Sequence, residues 1–363
     1  MAKKRKATCM DVAKMAGVSQ STVSMILNNY KNTSFSSDTK QRVLDACVAL
    51  KYKSNMSLSA TEKADNVLLV ICPSYENLHY IQLIEAMQER ARELGYLLMA
   101  FCTFRDVSEE TDMLRMAKNL SVAGVLFLCP PENLIALQQF RAHKPVMLIY
   151  DKNPNIDMDT IELDNFKIGS IIAEHLLDLG HRHVAFVTLP LNPNQIVRIR
   201  RLEGLRRTFA ENGLNPAEYV SVCTAESEGL KVPDTIPEYE FGYLMASKVI
   251  ELHKEVTALV GMNDMVALGM MDALLEQKKR IPYDYSICGC DNIMPARLKG
   301  ISLTTVEQFN TQKGKEAVDI LVNKIKGYDY ISPSNNPASC IRVEYAPNLI
   351  VRSSTGVNRR NSK

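Results

Sequence analysis

The chain contains no tryptophan among its 363 residues. An aromatic platform for a ligand would therefore have to come from tyrosine or phenylalanine, with Tyr75, Tyr80 and Phe166 the candidates. No apolar run approaches the ~18 residues that a membrane helix needs. The nine cysteines are odd in number and none forms a C-x-x-C pair, so reduced, buried thiols are expected in place of disulfides or zinc ligands. There is no phosphate-binding P-loop, no G-x-G-x-x-G, no G-x-S-x-G and no H-E-x-x-H. No catalytic residue, resident cofactor or metal site is therefore assigned. His181-Arg182-His183 sits in a helix-to-strand turn without a third ligand at useful spacing, which favours a packing role. Polar residues follow the basic start Met1–Lys6 where a signal peptide needs an apolar stretch, so the expected location is the cytoplasm.

What is present is ordinary for a globular protein: 46% hydrophobic and 23% charged residues. The formal charge of +2 is unevenly spread. Residues 1–60 carry a net +7 and the remaining 303 a net −5. A basic head on a mildly acidic body suggests that the head meets a polyanion and the body does something else.

The head is punctuated for helices. Thr8 can cap a short helix through Met15, with Val12 and Ala16 on one face. In Ala16-Gly17-Val18-Ser19, glycine permits a left-handed turn, valine can plug the angle, and serine can cap the next helix. That helix, about Gln20–Asn28, turns Val23, Ile26 and Leu27 inward and shows Gln20, Ser21, Ser24, Met25 and Asn28 outward. A third helix follows Ser36, with Val43, Ala46, Cys47 and Leu50 on one stripe. Two short helices joined by a glycine turn make a helix-turn-helix, whose second helix can enter a major groove.

Residues 8–28, T-C-M-D-V-A-K-M-A-G-V-S-Q-S-T-V-S-M-I-L-N, resemble the head of the LacI/GalR family of transcriptional regulators. The family pattern is roughly T-x-x-D-V-A-x-x-A-G-V-S-x-x-T-V-S-R-V-L-N. Met25 departs from it, standing where an arginine or another polar reader is usual. Methionine can offer a thymine methyl apolar contact but cannot donate twice to guanine. The resemblance implies DNA contact by Thr8, Ser19, Gln20, Ser21, Thr22, Ser24, Met25 and Asn28.

Residues 52–61 resemble the family's hinge, which folds on operator DNA and wedges leucines into the minor groove. Tyr52 and Asn55 match; Ser54, Ser59 and Thr61 depart, and Thr61 stands where the wedge leucine is expected. Leu58 lies one helical turn earlier and could serve as a shifted wedge, so Asn55 and Leu58 join the expected DNA contacts.

From Asn66 onward, continuously apolar runs alternate with helical patterns. Strands are expected at Val67–Cys72, Leu97–Cys102, Gly124–Cys129, Val146–Tyr150, Thr160–Leu163, Val184–Thr188, Tyr219–Cys223, Ala258–Gly261 and Ser286–Gly289. Helices are expected near 79–94, 107–120, 132–141, 166–179, 198–212, 239–254 and 265–277. Such alternation argues for parallel sheets covered on both faces. The pattern runs through twice, which suggests two α/β lobes with ligands bound at the strands' C-terminal ends. Stretches such as L-G-H-R-H-V-A-F at 179–186 and I-C-G-C-D-N at 287–292 carry the family resemblance through the body.

The expected fold class is α/β: an N-terminal helix-turn-helix DNA-binding head plus a periplasmic-binding-protein-like body of two doubly wound lobes. The expected divisions are head 1–53, hinge 54–65, body 66–355 and a basic tail 356–363. Lobe one is drawn at about 66–162 and 306–327, lobe two at about 163–300 and 338–352. Asp291, Asn263 and Arg201 should project at the cleft, where carboxylate, amide and guanidinium suit a polyhydroxyl ligand. The resemblance implies effector contacts at these three and at His79, Tyr80 and Asp151. The expected function is an effector-controlled transcriptional repressor. It would bind double-stranded operator DNA as a homodimer, with no membrane partner, and take a small molecule between its lobes. A carbohydrate is the first expectation for that molecule. A purine or phosphosugar effector, or a sugar receptor without regulatory role, is the alternative.

Overall fold

The computed structural model describes residues 7–27, 35–50, 52, 66–120, 122–151, 158–191, 196–233, 236–327 and 340–360. The chain divides into two compact units, Met1–Asp65 and Asn66–Lys363.

In the first unit lie α1 (Cys9–Ala16), α2 (Gln20–Leu27) and α3 (Ser37–Ala49). A reciprocal capping box starts α1: Thr8 Oγ1 accepts from Asp11 N at 3.3 Å and Asp11 Oδ2 accepts from Thr8 N at 2.8 Å. Gly17 ends it at φ 65°, the left-handed conformation that an L side chain resists. Val12, Ala13, Ala16, Val23, Val43 and Ala46 form the small core, with Val18 packed against it.

The body opens with β1 (Val67–Cys72), α4 (Leu78–Glu93), β2 (Leu97–Cys102), α5 (Val107–Asn119), β3 (Gly124–Phe127), α6 (Leu134–Arg141), β4 (Val146–Ile149) and β5 (Asp159–Leu163). It continues through α7 (Asn165–Asp178), β6 (Val184–Val187), α8 (Ile196–Glu211), α9 (Pro216–Tyr219), β7 (Val220–Cys223), α10 (Glu238–Leu252), β8 (Ala258–Gly261), α11 (Asp264–Glu276) and β9 (Ser286–Cys288). A 3-10 turn at Met294–Arg297 precedes β10 (Thr305–Glu307), α12 (Asn310–Ile325), β11 (Arg342–Tyr345) and β12 (Asn348–Ile350).

A six-stranded sheet in the order β11-β5-β4-β3-β1-β2 builds the first lobe, and a four-stranded sheet β7-β6-β8-β9 the second. Neighbours in both are parallel. Side chains alternate across β1. Leu68 and Val70 join Leu83, Met87 and Leu321 on one face, while Leu69 and Ile71 join Met113, Leu137 and Phe140 on the other. That alternation is why the run had to be apolar throughout. The second lobe has one core, around Phe186, Phe209, Phe241 and Met245.

Two expectations about the C-terminal region are corrected. Arg342–Tyr345 does not belong to lobe two: it pairs with β5 and completes the first lobe's sheet. Ile341 N also donates to Asp159 Oδ1 at 2.8 Å, fixing the register. An edge strand as buried as β5 needs a partner, and this late segment supplies it. Residues 356–360, drawn as a basic tail separate from the body, dock on the second lobe. Asn358 N donates to Leu179 O, and Arg360 donates to the carbonyls of Lys254, Val256 and Asp284. Arg360 also lies 4.5 Å over the Tyr285 ring.

Helices α7 and α8 approach so closely that only glycine fits. A Cβ on Gly169 would lie 1.9 Å from Arg201 O, and one on Gly204 would lie 1.9 Å from Phe166 O. This contact sets where α8 carries its arginines.

Candidate reading helix and interlobe cavity

Helix α2 has the punctuation of a reading helix. Ser19 Oγ accepts from Thr22 N at 3.0 Å and lies 2.7 and 2.8 Å from the hydroxyls of Ser21 and Thr22. Arg42 Nη1 donates to Ala16 O at 3.1 Å, tying α3 to the end of α1. Gln20, Ser21 and Ser24 are exposed, and Thr22 and Met25 are half-buried. Thr8 and Ser19 spend their hydroxyls locally, on the caps of α1 and α2. Asn28, Asn55 and Leu58 lie outside the described residues.

In the body, the strands' C-terminal ends and the helix starts that follow them surround a cavity of about 120 Å³. A cavity of about 150 Å³ takes a benzene ring, so this space can hold about one small ring. That is the scale of a monosaccharide or a nucleobase. All six residues named from the sequence line it: His79, Tyr80, Asp151, Arg201, Asn263 and Asp291. Of the three candidate aromatics, Tyr80 lines it; Tyr150 joins in place of Tyr75 and Phe166.

The first lobe contributes its α4 start. Asn77 Oδ1 accepts from His79 N at 2.9 Å, which caps the helix and turns His79 and Tyr80 toward the cavity. Their rings meet edge-on at 5.1 Å. Asp151 follows β4 and faces Arg200 Nε at 3.7 Å. The second lobe contributes Asn263, which follows β8. Its Oδ1 accepts from Val266 N at 3.0 Å, capping α11, and its Nδ2 donates to Glu238 Oε2 at 2.7 Å. Asn77 Nδ2 donates to the same oxygen at 2.8 Å. One carboxylate oxygen thus receives an amide from each lobe.

Arg201 is buried and largely committed. Its Nε donates to Asn165 Oδ1 at 2.8 Å and its Nη1 to Met262 O at 2.5 Å. Asp291 follows β9. Gln308 Nε2 donates to its Oδ1 at 2.5 Å, while Oδ2 is buried without a hydrogen-bond partner. Burial, reinforced by the Asp264 carboxylate, raises the Asp291 carboxyl well above the ordinary range. Asp264 is itself raised by burial to about 6, and it accepts from Thr305 Oγ1 and Ile293 N where the chain returns toward the first lobe. Burial lowers His79 and brings Lys313 down to about 8.

Glu238, Arg105, Arg198, Gln308 and Lys313 also line the cavity, and none was singled out from the sequence. Glu238 meets Asn77 across 161 residues, and no local motif announces such a partner. Elsewhere, His181 is spent on Thr257 Oγ1 at 2.8 Å and Gly356 O at 3.0 Å. In the second lobe one atom each of Cys223, Glu228 and His253 lies within 4.8 Å of the others. There, Glu228 is already paired with the His253 ring at 3.1 Å.

Comparison with known proteins gives the same division of labour. Residues 8–55 match the bacterial regulatory proteins of the lacI family, and residues 173–355 match the periplasmic binding protein-like domain. The chain is 30% identical over 352 residues to the HTH-type transcriptional repressor PurR of Haemophilus influenzae, covering 96% of this chain and 98% of that one. A LacI family regulator from Silicibacter pomeroyi superposes with a TM-score of 0.71 at 21% identity, over 97% of this chain and 100% of that one. The regulator CelR in complex with cellobiose gives 0.65 at 22% identity, over 96% and 99%.

Proposed function

Since the chain belongs to the lacI family of bacterial regulators, it is a DNA-binding regulator and not an enzyme, and we propose that it represses transcription from operator sites read by α2. Binding is controlled by a small molecule held between the lobes, with a monosaccharide-sized ligand the first expectation. Gln20, Ser21 and Ser24 are the exposed reading side chains, joined by Thr22, Met25 and Asn28. Thr8 and Ser19 orient the helices, and Asn55 and Leu58 meet the minor groove. The protein works as a homodimer in the cytoplasm, because one reading helix addresses a half-site and paired heads address a palindrome. No helix among the described residues is long and apolar enough to cross a membrane. A receptor that serves transport alone has no use for such a head.

The observation that carries the effector reading is that the cavity's polar lining is drawn from both lobes. A ligand touching His79 and Tyr80 on one side and Arg201, Asn263 and Asp291 on the other changes the free energy of one lobe arrangement relative to another. That differential is what regulation of DNA affinity requires. The test is operator selection from random duplex DNA by the full chain, repeated with a panel of neutral sugars, sugar acids, phosphosugars and nucleobases. A recovered palindrome whose affinity shifts at least about fivefold with one compound is the expected result. Selection of no sequence, or a selected operator indifferent to every compound, counts against the reading.

A further inference from the structure

The cavity contains more cationic hydrogen-bonding capacity than the protein uses. Arg105 reaches it from the loop after β2, where two consecutive residues, Phe104 at φ 49° and Arg105 at φ 60°, hold left-handed backbone. Neither is glycine, so this placement costs free energy and the surrounding packing must impose it. Arg105 Nη1 is buried without a hydrogen-bond partner, and Glu132 stands off at 3.7 Å. Arg198, in the first turn of α8, belongs to the other lobe. Among the described residues its guanidinium makes no hydrogen bond and no ion pair within 4 Å, although Glu238 lies near enough to act on it electrostatically. The Arg198 guanidinium is held below its ordinary range by burial and is pushed further down by the charges of Arg105 and Arg201.

The nearby acids balance these cations only in part: Glu132 acts on Arg105 and Glu238 on Arg198, but neither forms a hydrogen bond with its guanidinium. Asp151 faces Arg200. Glu238 and Asp291 are raised by burial, which favours their uncharged forms. Two under-used guanidiniums from opposite lobes therefore repel each other across one cavity. A shared oxyanion would reverse the sign of that interaction, since a planar guanidinium donates in pairs to carboxylate or phosphate oxygens.

We propose that the effector is an anion, whose phosphate or carboxylate group binds between Arg105 and Arg198 and draws the lobes together. This rests on the reading of the cavity as an effector site, and it narrows the effector from neutral sugars to sugar phosphates and sugar acids.

Inorganic phosphate and acetate are the probes. The thermal midpoint of the full chain is followed at pH 7.5 and constant ionic strength, with chloride as the balancing ion, for wild type, Arg105→Gln, Arg198→Gln and Arg198→Lys. Phosphate or acetate should raise the wild-type midpoint saturably; whichever does so more strongly identifies the oxyanion. The half-saturating concentration should rise at least about tenfold in each glutamine variant and less in Arg198→Lys. Circular dichroism checks that the variants are folded. The basic head can also bind phosphate, but that contribution is common to all four proteins. A wild-type midpoint indifferent to both anions, or equal shifts in wild type and the glutamine variants, overturns the proposal. An operator response to neutral sugars alone would likewise overturn it, while leaving the effector reading intact.

Discussion

His79 Nδ1 lies 3.6 Å from Asp291 Oδ1, and the two residues come from opposite lobes. Burial is the main cause of both their shifts, downward for the imidazole and upward for the carboxyl. Both shifts favour uncharged forms, so the contact is a meeting of two polar groups and not a strong ion pair; His79 Nδ1 also meets Asn310 Nδ2 at 3.1 Å, and Asp291 Oδ1 accepts from Gln308.

Asp291→Ala should therefore separate ligand binding from folding. Removing a carboxyl whose charged form is penalised offsets part of the loss of its Gln308 hydrogen bond, so the unliganded variant should stay folded. The effector loses a polar partner, at a cost of roughly 1.5 kcal/mol or more, about tenfold in affinity. Titration of operator release against the effector, beside an unfolding curve, measures both. A folded variant with wild-type effector sensitivity would return Asp291 to a purely structural role.

In the head, Gln20→Ala or Ser21→Ala should change base preference at particular half-site positions, by roughly 1–3 kcal/mol each. Lys4→Ala should weaken binding to all sequences alike and flatten the salt dependence. Binding-site selection at two salt concentrations distinguishes the two patterns. A uniform loss in the Gln20 variant would remove it from the reading face.

Gly204→Ala is expected to be costly although it adds one methyl group. The new carbon would meet Phe166 O inside van der Waals distance, and backbone cannot step aside as a side chain can. The helices must separate, at about 3 kcal/mol. The displacement moves Arg198 and Arg201, so effector response should fall with stability. Chemical denaturation and operator release are the readouts, and a variant normal in both would show that α7 and α8 can slide freely.

Lys313 is 2% exposed and titrates near 8 in the folded protein, against a usual 10.5. Between those values the unfolded chain binds the extra proton, so stability rises as pH increases through the window and is insensitive to this group below it. The amount is on the order of 3 kcal/mol. Lys313→Met should remove that rise and stabilise the protein at pH 7. Unfolding midpoints of both proteins from pH 7 to 10.5 give the difference directly, and parallel curves would refute it.

The sequence was most legible where one element carries its own signal. All nine expected runs became strands, the central ones such as β1 and β3 apolar throughout because both their faces are buried, and Thr8, Gly17 and Ser19 punctuate the head by local capping chemistry. The residues missed were those defined by distant partners. Arg342–Tyr345 alternates like an exposed edge, and nothing in it says that the edge it completes is Asp159–Leu163. Arg105 and Arg198 look like ordinary surface charges until the fold brings them to one cavity. Tyr75 was a reasonable aromatic candidate, but its hydroxyl is taken by Ala100 O at 2.8 Å.

The pairing of β11 with β5 also orders events during synthesis. Asp159–Leu163 leaves the ribosome long before Arg342–Tyr345, and until then its outer edge has exposed backbone donors and acceptors. At roughly 5–20 residues per second that interval lasts on the order of ten to forty seconds. The nascent first lobe is thus an unfinished sheet for nearly half of translation, with an edge open to pairing by other strands. The second lobe faces no such wait: its four strands, Val184 to Cys288, are made in one uninterrupted stretch.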